Sequence, residues 1–429
     1  MKLKYISFLM FFALTALGQN PAPGSKQTEP IIIENAEIHV GNGTVINGSI
    51  LIQNGLITQV GNIPAEPIGT LHIDARGKKV YPGFISPNSQ LGLIEVEAVR
   101  TTIDANELGN MNPSVRAQIA HNTDSEVIPT VRGNGVLIGQ TTPVGGMVSG
   151  RSGVMNYDGW NWEDALLKSE DGLWINWPAM RRSSYDRATS TRTLRDNENY
   201  FSDVNNLKKL FTDSKAYSAL TNPTNVNQNL GAVEALWSGD MRLYINVNNA
   251  KEIIAAINFV KEMEVKYPVL VGVEECLAVL DLIKESKIPV LLPTTHRLPN
   301  TADEDIWEPY KMPGILMKEG IMIGLYYNES FWRTRNLPFV AGTAAAHGLG
   351  KEEAVQLITL NNAKILGIDK MVGSIEVGKQ ATLFISEGDA LDMSTSKVTQ
   401  AWIQGRTIDL DDKQKRLYNK YLEKYELKK

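Results

Sequence analysis

The chain has 429 residues, 43% of them hydrophobic and 21% charged, with a net charge of −5. That is enough apolar chain for one large domain and a smaller one without disulfide or metal staples. The acidic balance excludes nucleic acid as a partner, because binding a phosphate backbone needs a basic surface.

The first residues read as an export signal. Lys2 and Lys4 precede an apolar run from Ile6 to Leu17, and Ala16-Leu17-Gly18 supplies small residues at cleavage spacing. The run is too short to span a bilayer, and no Cys follows it to carry a lipid. Residues 1–18 are therefore expected to be removed, leaving a periplasmic or extracellular protein. Residues 19–30 are polar and Pro-rich and read as a linker.

A β-rich segment follows over 31–79. Ile31-Ile32-Ile33 and Ile38-His39-Val40 look like strands, and Ile50–Gln53 and Leu56–Val60 flank Asn54-Gly55, a strong hairpin signal. From 80 to 370 the pattern alternates. Strands are expected at Gly135–Pro143, Arg242–Val247, Val269–Val273, Ile288–Pro293 and Gly320–Tyr327. Helices are expected at Ala250–Glu264, Glu275–Ser286 and across Phe339–Leu366. Alternation at this rhythm implies parallel strands with crossover helices, and over nearly 300 residues it fits an α/β (β/α)8 TIM-like barrel. The segment 371–410 returns to β, with strands at Ala381–Ile385 and Val398–Ile403 joined to a Gln404-Gly405-Arg406 turn. Paired with 31–79 it would form a small β-sandwich built from both chain ends. The charged tail, 411–429, places Leu417, Tyr418, Tyr421 and Tyr425 at helical spacing and predicts an amphipathic helix lying on the body. Cys276, the only cysteine, can form no internal disulfide and reads as a buried inert thiol.

Three segments together resemble the amidohydrolase superfamily. Val80-Tyr81-Pro82-Gly83-Phe84-Ile85 is similar to the strand that opens its barrel. Asn336–Leu349 is similar to the helix after its last barrel strand. Thr359–Gly367 followed by Gly373–Lys379 is similar to its C-terminal signature, with Asn362 in place of a proline and Thr382 in place of an aspartate. The segments Gly145–Gly150, Asp158–Asp164 and Trp174–Pro178 resemble its imidazolonepropionase-like branch.

The resemblance implies hydrolysis of non-peptide C–N bonds by a metal, usually zinc, that lowers the pKa of bound water. It also implies ligands at strand ends, and there this chain departs from the pattern. The opening H-x-H pair falls on Asn88 and Gln90, and the acid before it on Ser86. A later His position falls on Asn246 and another on Gly272. The metal-binding, proton-shuttling Asp falls on Asn328, with Tyr327 as the runner-up. Amide oxygens are poor zinc ligands, and an Asn cannot serve as a general base.

The histidines support this without the family. His39, His72, His121, His296 and His347 contain no H-x-H, H-x-x-x-H or HExxH spacing. His39 and His72 lie in the β-rich part. His121 reads as a surface residue, and His347 as a packed or exposed helical one. Only His296 follows a barrel-like strand. Asp158, Glu163, Asp164, Glu274 and Glu275 are carboxylates near strand ends, where the ordinary reading is solvated acid.

The expectation is a metal-free pseudoenzyme with no catalytic residue and no cofactor. Its pocket would be lined by Asn88, Gln90, Asn246, His296, Tyr327 and Asn328. It would take a small-molecule ligand, or serve as a subunit of a homo-oligomer or of a hetero-oligomer with an active homologue. The alternative is an active amidohydrolase or dipeptide hydrolase with a rearranged site.

Overall fold

A computed structural model describes residues 20–187, 189–220, 225–299 and 304–427. The expected export signal lies outside the described residues. Among the described residues eighteen strands occur: β1 (Ile31–His39), β2 (Val45–Gln53), β3 (Leu56–Gly61), β4 (Leu71–Asp74), β5 (Lys79–Pro82), β6 (Phe84–Ser89), β7 (Val136–Thr141), β8 (Val148–Asn156), β9 (Leu166–Asn176), β10 (Arg181–Asp186), β11 (Thr191–Asp196), β12 (Arg242–Val247), β13 (Pro268–Gly272), β14 (Val290–Leu292), β15 (Ile323–Leu325), β16 (Leu383–Ser386), β17 (Val398–Ile403) and β18 (Arg406–Thr407). The helices of seven residues or more are α1 (Tyr200–Ser218), α2 (Ala250–Met263), α3 (Leu280–Ser286), α4 (Glu308–Lys318), α5 (Leu337–Ala346), α6 (Lys351–Leu357), α7 (Leu360–Leu366) and α8 (Lys413–Lys424).

Both chain ends build one sheet, in the order β18-β17-β16-β5-β1-β2-β3 with β4 beside β1. The joint between them is β16 against β5, which pairs Leu383 with Pro82 and Ile385 with Val80. Ile33, Ile38, Ile50 and Ile52 from the first end and Leu383, Ile385 and Trp402 from the second share one buried cluster. Asn54-Gly55 and Gln404-Gly405 both turn with positive φ at each residue, the backbone that tight hairpins require. The expected linker is not loose. Gln27 accepts from Gly55 N at 2.7 Å and donates to Ile52 O, and Gly24 N donates to Asp158 at 3.0 Å, so this stretch is strapped to the body.

The second sheet runs β15-β14-β13-β12-β9-β8-β7-β6 and curls into a barrel. The expectation of parallel strands throughout needs correcting. Strand β8 is antiparallel to both β7 and β9, so a hairpin stands where the alternation predicts a crossover helix. The other neighbouring pairs are parallel. Among the described residues no ladder joins β15 to β6. Asn362 of α7 bridges the seam, donating to Ile85 O of β6 at 2.8 Å and Leu325 O of β15 at 2.9 Å. Proline, with no side-chain donor, could not make either bond.

Alternate strand residues face inward and outward. Ile85, Ile138, Trp174, Tyr244, Val271 and Leu291 fill the barrel with Ala363, Ile365 and Leu366 of α7. Phe84, Leu173, Leu243, Ile245, Leu270 and Val290 face the outer helices. The tail does form a helix, α8, but it buries no residue, and Leu417, Tyr418, Tyr421 and Tyr425 are 48–64% exposed. The expected packing of that stripe on the body is not found.

Candidate functional site

In barrels of this kind the chemistry sits where the strands end. The parallel register places Asn176 of β9 opposite Asn246 of β12, and Asn246 opposite Val271 of β13. The Asn246 amide donates to Asn176 Oδ1 at 2.8 Å. The Asn176 amide donates in turn to Gly146 O at 2.6 Å and Ser149 Oγ at 3.2 Å. Asn88, at the end of β6, has φ +49° and is half-buried. Its backbone N–H reaches Gln140 Oε1 at 3.0 Å, and its side chain lies near the Tyr326 hydroxyl. Burial raises the Tyr326 phenol well above its ordinary range, which keeps it neutral at physiological pH.

Position 272 has a backbone that side chains rarely adopt. Gly272 has φ +91°, and a Cβ there would lie 2.2 Å from Asn248 Oδ1. Val273 follows with φ +49° although fully buried, a strained backbone for a β-branched residue, and its N–H is held by Val247 O at 2.8 Å.

The remaining expected pocket residues scatter. Gln90 is half-buried at the turn after β6, where its carbonyl accepts from Leu93 N. Asn328 is exposed at the rim, accepting from Thr294 N at 3.2 Å. Tyr327 does not face the barrel interior. It packs into the outer core, with its hydroxyl 3.3 Å from Glu329. The inward tyrosine is Tyr326, one residue earlier, because β15 ends at Leu325 and the alternation turns residue 326 inward. His296 is at the rim and turned toward α5, with Nε2 2.6 Å from Thr343 Oγ1, and burial lowers its pKa.

The other histidines lie elsewhere. His121 is buried, not on the surface: it packs beside Gly92, hydrogen-bonds Thr141 at 3.0 Å and stacks on Tyr157. His39 is stacked on Tyr81, between Glu37 and Glu352. His72 is exposed between Glu34 and Glu66. His347 caps α5 through Thr343 O and stacks on Trp307.

The carboxylates also have structural work. Asp158 is buried against Arg132 at 2.7 Å and near Arg406. Asp164 accepts from Trp160 N, Glu163 is exposed, and Glu275 accepts from Ala250 N at the start of α2. Glu274 is half-buried beside Val273, and its charge acts on Tyr326. Cys276 is buried against Met312, and burial pushes its thiol up to about 12, which makes it inert as a nucleophile.

One feature of the interior escapes the sequence. Asp171 is fully buried and accepts from Gln140 Nε2 at 2.7 Å, Ser152 Oγ at 2.7 Å and Tyr244 OH at 2.9 Å. Ser152 also accepts from Trp174 Nε1 at 2.9 Å, and the Trp174 ring stacks on Tyr244 at 4.5 Å. Burial raises the Asp171 carboxyl, while its donors and the nearby Lys168 act in the opposite direction. Through Gln140 the network reaches Asn88, so the packed interior sets the position of the strand end above it.

Residues 314–408 match the model of the amidohydrolase family. An amidohydrolase from Thermotoga maritima MSB8 superposes with a TM-score of 0.76 at 23% identity, covering 88% of this chain and 99% of that one. The chain has the amidohydrolase fold. A prolidase complexed with N-methylphosphonate-L-proline shares that fold at TM-score 0.55 and 14% identity, over 89% of this chain and 99% of that one. So does a Xaa-Pro dipeptidase with methionine bound in its active site, at TM-score 0.52 and 14% identity, over 89% of this chain and all of that one. No curated protein matches the chain.

Zinc, which the resemblance implies, does not fit the strand ends of this amidohydrolase-fold barrel. Asn88, Gln90, Asn246 and Asn328 offer neutral amides, and Gly272 offers no side chain. The amides of Asn246 and Asn328 are already in hydrogen bonds. Among the described residues, no three His, Cys, Asp or Glu side chains are grouped to hold a metal. This donor set supplies neither the charge nor the soft nitrogen and sulfur atoms that zinc selects.

Proposed function

We propose that this chain is a metal-free member of the amidohydrolase family whose barrel mouth binds a ligand instead of hydrolysing one. The observation that carries the reading is the Asn246–Asn176–Gly146 amide ladder at the end of β9 and β12. Side chains committed to one another in this way present neutral donors and acceptors and no group able to activate water.

A groove beside the mouth extends the reading. It has a volume of ≈ 1090 Å³ and is lined by Met180, Leu194, Tyr200 and Phe201 on its apolar side and by Asn248 and Glu252 on its polar side. Apolar walls with a few placed polar groups suit an extended ligand carrying amide or hydroxyl groups, such as a short peptide or a sugar. Burial raises the Glu252 carboxyl, and Met180 N–H holds it in place at 2.8 Å.

Two measurements on the purified chain test this. Elemental analysis is expected to find no stoichiometric zinc. Thermal unfolding against a panel of short peptides and oligosaccharides is expected to raise Tm by a few degrees at saturating ligand. Stoichiometric zinc, together with dipeptide or amide hydrolysis that a chelator abolishes, would sink the proposal. Co-purification with an H-x-H-bearing homologue would place the same barrel in a hetero-oligomer.

A further inference from the structure

We infer that α8 is a surface-binding helix that docks the protein onto an anionic bilayer. Asp412 caps it through Lys415 N at 2.8 Å, and none of its residues is buried. At 100° per residue, Leu417, Tyr421, Tyr425 and Tyr418 fall within about 100° of arc, and Lys413, Lys420 and Lys424 share the arc beside them. Leu417, Tyr418, Tyr421 and Tyr425 are 48–64% exposed, an apolar face with nothing over it among the described residues. Lys424 Nζ lies 5.1 Å from the Tyr425 ring and 5.7 Å from that of Tyr421, and the two rings stack at 6.2 Å.

The composition selects the occupant. Protein interfaces are depleted in lysine, yet this helix carries Lys413, Lys415, Lys420 and Lys424 against one acid, Glu423. Tyrosines with an apolar body and a wet hydroxyl, beside long cationic side chains, suit the headgroup boundary of a membrane. The whole chain carries a net charge of −5, so its body is repelled by an anionic surface and the cationic helix is the element that can face one. Asp411 and Asp412 pair with Arg416 and Lys415 at the start of the helix, which leaves the lysines farther along to meet phosphate. No helix among the described residues is long and apolar enough to cross a membrane, so contact of this kind would be peripheral.

Sedimentation of the full chain with vesicles tests the inference. The chain is expected to pellet with mixed phosphatidylcholine–phosphatidylglycerol vesicles and not with phosphatidylcholine alone. Binding should fall at least about tenfold in the double variant Leu417→Ser, Tyr421→Ser and in Lys420→Glu, Lys424→Glu. Both variants should keep the urea midpoint of the parent, since the altered side chains are exposed. The inference is overturned if the parent does not pellet with the mixed vesicles, or if parent and variants pellet equally. It is also overturned if light scattering shows an oligomer that the Leu417→Ser, Tyr421→Ser variant dissociates, because a second copy would then cover this face.

Discussion

His121 shows how far burial can move a single group. It is fully buried, and loss of hydration lowers its pKa to about 4 from an unfolded value near 6.5. Between those values the unfolded chain binds the extra proton, so the stability this residue contributes is complete above about pH 6.5 and is lost as pH falls toward 4. The full difference is about 3 kcal/mol. Urea midpoints at pH 7 and pH 4.5 are expected to fall less in His121→Gln than in the parent. Equal losses would remove His121 as the cause. Asp158 and Asp171 have carboxyls raised by burial and act with the opposite sign, so the comparison with the variant is needed to isolate the histidine.

Asn362 matters at the scale of an element, because it holds two strand ends that otherwise lack a ladder. Leucine at that position would fill the space and leave the Ile85 and Leu325 carbonyls without these donors. Asn362→Leu is expected to lower unfolding free energy by about 2–4 kcal/mol, measured by urea denaturation. A change below about 0.5 kcal/mol would mean that the seam is held by other contacts. Legibility in the sequence follows from how each element is buried. Strands β12 and β17 are legible, with expected ends that coincide with the observed bounds. Strand β8 is hidden because Ser149, Gly150, Arg151, Ser152 and Gly153 interrupt any alternation, and Ser152 faces a polar network instead of an oily core. The β10–β11 hairpin is hidden because every residue of β11 is exposed and leaves no apolar pattern to read. At the site, Asn88 and Asn246 can be found by motif. Asp171 sits in Lys168-Ser169-Glu170-Asp171 and reads as a loop acid, so its burial is visible only in the fold. Tyr326 gives no signal of its own, because the three-residue strand before it is too short a pattern to fix which face it takes.

At the scale of the whole molecule, neither chain end completes its own core. Strand β5 lies between β1 and β16, so removing β16 opens the sheet at its centre. A chain ending at residue 370 would uncover Ile33, Ile38 and Val80, which share a cluster with Leu383, Ile385 and Trp402. That truncation is expected to be insoluble or to lose its cooperative thermal transition. A soluble product with an unchanged Tm would show that residues 31–79 fold without the C-terminal strands.

The same joint sets an order of events in time. About 300 residues separate Pro82 from its partner Leu383, and the earlier strand is made first. At roughly 5–20 residues per second, the ribosome needs about 15–60 s to deliver the later strand. Throughout that interval Ile31, Ile33 and Ile38 have been synthesised while Ile375, Ala381, Leu383, Ile385 and Trp402, which complete their cluster, have not. The growing chain therefore carries a sticky, unfinished edge for far longer than a hairpin takes to form.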